Sequence, residues 1–243
     1  MKVRTRAGTL VVSLLWAAGW ASGNGQPIPK DVKAHHAKQY SDYHTGLNIV
    51  SETQAGRDVD KTIEVLPPLY AYDPSEIGSS GGYPNHELRG LACAADAIVV
   101  GAPKTAEAGI TESGDFLFTD YTFDVASVIK SNQSTLNAGS AIIVTRPGGA
   151  TTLNGHFVKI STANFPQFDF HQQYLLFLRF LSTTQTYKAF RSGTFVLSPY
   201  GSVAPIDSNY KLQTKSAKQK DAFLTEVRAA ATAPCSGITP TLN

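Results

Sequence analysis

The chain has two cysteines, Cys93 and Cys235, and every stretch that reads clearly as β-strand lies between them. In an oxidising compartment a lone pair defaults to a structural disulfide, and a bond enclosing the strands would staple a single β domain. A loop of that length is worth about 4 to 5 kcal/mol in the chain-entropy description. Two free thiols would need reactive surroundings, yet Cys93 meets no charged residue downstream before Asp96, and Cys235 follows Pro234.

The N-terminus supplies that compartment. Lys2, Arg4 and Arg6 precede an apolar run over residues 9–20, and Ala21-Ser22-Gly23 offers small residues at the positions that signal peptidase accepts, so cleavage is expected between Gly23 and Asn24. A membrane anchor is the competing reading, but twelve residues at 1.5 Å rise reach only about 18 Å, short of a hydrocarbon core of roughly 30 Å. No cysteine stands at the cleavage point to carry a lipid. The mature protein is therefore expected to be secreted, extracellular or periplasmic, without a membrane anchor.

Charge then loses its basic bias. Residues 1–23 hold three of the 21 Lys+Arg and none of the 19 Asp+Glu, which leaves 18 against 19. A near-neutral chain without a basic run lacks the electrostatic footprint for nucleic acid or an anionic membrane surface.

Organisation follows from periodicity. Residues 24–85 carry weak signals: a polar helix over 30–43, a short strand over 61–66, and breakers at Pro67-Pro68, Asp73-Pro74 and Gly78 to Gly82. This stretch reads as a poorly structured N-terminal extension or linker. From residue 86 to 243 the chain reads as one barrel domain. Residues 96–101 are β-branched, and 120–125 alternate polar with apolar, which puts Tyr121, Phe123 and Val125 on the core and Asp120, Thr122 and Asp124 on a wet face. Further strands fall at 141–145, ended by Pro147-Gly148-Gly149, and at 194–197. Residues 174–180 are apolar on both faces apart from Arg179 and should form a central strand.

The period changes at Ser216-Ala217-Lys218-Gln219, which fits a capping box opening a helix with Phe223, Leu224, Val227 and Ala231 on one stripe. Several short strands, Gly-rich turns and one packing helix predict a mainly β fold, a small closed barrel with a C-terminal helix.

The strands at 93–100, 125–130, 142–145 and 174–178, in this order and spacing, resemble the netrin-like module, the OB-type barrel shared with tissue inhibitors of metalloproteinases. The resemblance covers about residues 92–236. It implies that a cysteine just before the first barrel strand is tied to one after the C-terminal helix, which maps onto Cys93 and Cys235. Those inhibitors chelate a protease zinc through an N-terminal Cys-x-Cys pair. This chain has no cysteine before Cys93, so that mechanism does not transfer. What is implied is a scaffold, which hosts many kinds of binding.

Other motifs read as ordinary structure. Gly78-Ser79-Ser80-Gly81-Gly82 matches G-x-S-x-G, but a nucleophile elbow needs a hydrophobic strand before it and a helix after it, and neither flank fits. His86, His156 and His171 are the available bases, and nothing places one beside Ser80. His35, His36 and His44 near Asp42 carry metal-ligating chemistry, but their spacing does not share a helix face, so a solvated polar segment is expected. Asn132-Gln133-Ser134 is a glycosylation sequon in a eukaryotic source. Arg146-Pro147-Gly148-Gly149-Ala150 is either an anion-binding loop or a Pro-Gly turn.

No catalytic, cofactor or metal constellation emerges. The leading expectation is a secreted, non-enzymatic binding or interaction module with no cofactor and an unidentified extracellular or periplasmic partner. A serine hydrolase using Ser80 and a protease inhibitor acting without chelation are the alternatives.

Overall fold

The computed structural model describes residues 27–43, 45–63, 87–163, 165–207 and 219–235. Residues 1–23, where a leader is expected, and Asn24, and also His44, Ser80, His86 and Ser216, lie outside the described residues.

The fold is mainly β. Its elements in chain order are α1 (Lys30–Gln39), α2 (Ile49–Gln54), β1 (Val59–Ile63), α3 (Glu87–Ala94), β2 (Ala97–Ile110), β3 (Leu117–Ser131), β4 (Ala141–Pro147), β5 (Gly149–Leu153), β6 (His156–Thr162), β7 (Gln173–Leu181), β8 (Thr186–Leu197), β9 (Val203–Pro205) and α4 (Lys220–Thr232).

Six strands form one sheet in the order β4-β3-β2-β7-β8-β9, and a parallel pairing of β4 with β8 closes the first five into a ring of hydrogen-bonded strands. The ring interior holds Tyr121, Phe123, Val125, Val144, Leu176 and Leu178. Period-two alternation in β3 therefore selects the core-facing residues as expected. β7 is buried along both faces from Tyr174 to Leu178, as a strand apolar on both sides requires.

The outer face of the ring is covered at two places. α4 lays Phe223, Leu224 and Val227 on one side, with the Phe223 ring 5.0 Å from that of Phe195. The helix begins at Lys220 with Gln219 and not Ser216 as its N-cap, and the Gln219 side chain makes no capping hydrogen bond. α3, which the sequence reading did not anticipate, packs beside α4 through Leu91 and Ala92. Cys93, on α3 and not in an extended lead-in to β2, is bonded to Cys235 with the Cα atoms 5.6 Å apart. Arg89 reinforces the junction by donating from Nε to the Pro234 carbonyl at 3.2 Å.

The second cover comes from residues expected to be a poorly structured extension. Among residues 27–63, Tyr40, Tyr43, Ile49 and Val59 are buried with Phe116 and Phe118. β1 pairs in parallel with β6, in a second sheet of order β1-β6-β5. The β5–β6 hairpin is closed by Asn154 and Gly155 with φ of 52° and 81°, the two positive values that a type I′ turn demands.

β2 and β3 are long enough to serve both the ring and this second layer. Register shifts at Val100/Gly101 and Pro103/Thr105 mark where the pair bends, and a Cβ at Gly101 would lie 2.8 Å from the Asp124 carbonyl oxygen.

Candidate functional site

Three polar assemblies stand out, two closed and one open. The first closed one lies under α1. His36 is 1% exposed, with Nδ1 2.8 Å from Asp120 Oδ1 and Nε2 2.9 Å from Thr186 Oγ1, which in turn meets Thr184 Oγ1 at 2.6 Å. This corrects the expectation of a solvated segment. His35 and Asp42 are exposed, but His36 is on the helix face that meets the ring.

Asp120, expected on a wet face, is fully buried. It pairs across β3–β4 with Thr145, which pairs across β4–β8 with Lys188, so the three form one polar row on the outer side of the ring. Tyr40 completes the roof over this row. Its ring stacks on Phe118 at 5.6 Å, and burial holds its phenol well above the usual range. An acid, an imidazole and a hydroxyl in line have the order of a hydrolytic relay, yet Thr186 is 1% exposed and offers no approach to a substrate. The row clamps α1 to β3 and β8.

Arg146 fills a second closed site, inside the ring. Its Nη2 donates to Thr162 Oγ1 at 2.9 Å and to the Phe165 carbonyl, and its guanidinium carbon sits 4.4 Å over the Phe165 ring. Burial pushes the guanidinium below its ordinary value, opposed by the neighbouring Tyr121 hydroxyl. The loop 146–150 therefore presents no anion site. Arg146 faces inward and the Gly148 amide donates to the Leu117 carbonyl at 2.8 Å. Gly148 has φ +79°, the left-handed value that suits glycine as β4 passes into β5.

The open assembly is a cleft of about 430 Å³ where β5 diverges from the large sheet. At Gly149 the two layers touch, since a Cβ there would lie 2.4 Å from Thr119 Oγ1, and the cleft lies beside the residues that follow, Ala150 to Thr152. Ala106 and Ala108 of β2 with Thr119 and Tyr121 of β3 make the floor. In register, Ala106 faces Tyr121 and Ala108 faces Thr119, so the four share one sheet face. Ala150, Thr151 and Thr152 form one wall, with Phe157 and Gln167 at the rim. Phe157 is 45% exposed, and Phe170, 38% exposed, lies with its ring 6.3 Å from that of Tyr121.

The lining thus offers methyl groups, hydroxyls, one carboxamide and aromatic faces, and none of these nine residues is ionised at neutral pH. Burial raises the Tyr121 phenol, with Arg146 opposing the shift. Such a surface binds by contact and hydrogen bonding.

Of the remaining histidines, His156 lies 3.3 Å from Asp58 Oδ1 and His171 is exposed on a turn, so neither joins the cleft. Among the described residues no group of three His, Cys, Asp or Glu side chains is placed to hold a metal ion, and no helix is long and apolar enough to cross a membrane. The sequence reading missed the cleft because it did not place β5 and β6. The signal was present: Asn154-Gly155 between alternating residues is a strong hairpin mark. Compared with known proteins, the chain matches no family model and no curated protein.

Proposed function

We propose that this chain is a secreted, non-enzymatic binding module that takes its ligand in the cleft beside β5. The observation that carries the reading is the cleft itself, an open recess with a preformed floor and an aromatic rim, held on a closed ring of strands. Rigid scaffolds with such recesses are the usual setting for recognition.

The scaffold reading is an OB-type barrel of the netrin-like kind. Two features support it. Counting only the ring strands along the chain, the third, second, first, fourth and fifth are neighbours in that order, and the fifth returns to the third in parallel. The bond from Cys93, just ahead of the first ring strand, to Cys235, after the C-terminal helix, matches the link that the resemblance implies. Secretion is part of the proposal, supported by the leader-like residues 1–23 and by the disulfide. The mature chain is expected to begin at Asn24, and intact-mass measurement of the exported protein tests this.

The binding reading is tested by screening the oxidised protein on glycan and peptide arrays beside Ala108→Trp, which fills the cleft floor, with melting curves to establish that the variant folds. Ligands retained by the native protein and lost by a folded Ala108→Trp support the cleft. Undiminished binding by that variant places recognition elsewhere, and the absence of any ligand overturns the reading.

A further inference from the structure

We infer that the cleft accepts an extended, uncharged polypeptide segment, added as a new strand along the edge of β5 that faces away from β6. This rests on the cleft being the binding site and names the class of ligand.

Two independent features point to a strand. Among the described residues β5 pairs with β6 on one side only and ends the order β1-β6-β5. An edge strand leaves a row of backbone amides and carbonyls that another chain can pair with. The cleft also borders β5 along its length. Ala150, Thr151 and Thr152 are consecutive, and consecutive strand residues point to opposite faces, so a recess touching all three runs beside the strand. By contrast Ala106 and Ala108, like Thr119 and Tyr121, are two apart and present a single face as a floor. Thr119 and Tyr121 are already covered, whereas Ala106 and Ala108 are half-buried, so an added strand would lie over the two alanines with alternate side chains directed at them, where their small side chains leave room.

Charge selects within that class. No lining residue carries a charge to pair with, so an ionised side chain directed into the floor would lose water without gaining a partner. The segment is therefore uncharged at its inward positions, and β5 itself, Gly149–Leu153, sets its length at about five residues.

The test uses the full oxidised protein and a phage-displayed library of random twelve-residue peptides. Enriched sequences are expected to share an uncharged core with apolar residues at alternate positions. An N-methyl scan of an enriched synthetic peptide should then lose affinity at least tenfold at every second residue and little between, because a strand turns alternate amides toward its neighbour. Thr152→Glu, at an exposed wall position, should weaken binding at least tenfold with an unchanged melting temperature, and Tyr200→Ala, on a separate turn, should leave it unaltered.

Failure to enrich any peptide, tolerance of N-methylation at all positions, or full affinity in Thr152→Glu would each overturn strand addition. If glycans that Ala108→Trp rejects are bound while no peptide is enriched, strand addition falls and the cleft remains a binding site. If neither probe binds, both readings fall.

Discussion

His36 Nδ1 lies 2.8 Å from Asp120 Oδ1, and both side chains are at most 1% exposed although 84 residues separate them. This contact joins α1 to the outer face of the strand ring. Its partner on the far side of the imidazole, Thr186, brings β8 into the same clamp.

Removing the imidazole should therefore destabilise the whole domain. In His36→Ala the buried Asp120 carboxyl loses its imidazole partner while Thr186 keeps Thr184, and an unsatisfied buried group costs about 1 to 3 kcal/mol. A clear fall in melting temperature is expected, with Thr186→Val costing less because Asp120 keeps its histidine. Equal melting of His36→Ala and native protein would show that α1 is not clamped through this contact.

Leu176 and Leu178 are fully buried on β7, inside the ring. Truncating either to alanine removes most of a core side chain and is expected to cost about 2 to 5 kcal/mol. Chemical denaturation should register the loss as a lower midpoint, and an unshifted midpoint would contradict the central position of β7.

The Cys93–Cys235 bond spans 142 residues. Closing so long a loop restricts the unfolded chain by about 4 to 5 kcal/mol in the entropic description. Cys93→Ser with Cys235→Ser should melt well below the oxidised protein and respond no further to reductant, whereas the native protein should fall toward it on reduction. The first contacts to loosen should be those of α3 with α4, which hydrogen exchange would localise.

Glu107 accepts from the Ile28 amide at 2.9 Å and is bonded to Lys33, holding the start of α1 against β2. Burial works to raise its carboxyl, but these two partners prevail and hold it below the ordinary value of 4.5. A carboxyl depressed by folding contributes stability above its unfolded pKa and loses it as pH falls through the depressed value. Glu107→Gln should melt below native protein at neutral pH, and the gap should close on acidification below about 4.5. The group is partly exposed, so the gap should be small and should shrink with added salt. A gap that persists at low pH would mean that the charge of Glu107 is not what anchors α1.

Sequence alone determined whatever depends on local periodicity. The alternation around Tyr121, Phe123 and Val125 picks the buried face of β3, because a strand turns every second side chain the same way. The apolar run of β7 marks a strand covered on both sides, and the spacing of Phe223, Leu224 and Val227 marks the packed stripe of α4. The two cysteines, read with the leader-like N-terminus, already called for one bond.

Tertiary structure decided which polar residues are dry. Nothing local separates Asp120 from Asp124: both sit on the polar side of the same strand, but α1 covers one and leaves the other exposed. The same contact takes His36 out of solvent while His35 stays in it. The cleft is a further step from local pattern, because its floor, wall and rim come from β2, β3, β5, β6 and the segment holding Gln167. Its shape arises where two sheets touch at Gly149 and then diverge, and a divergence between layers has no period along a chain.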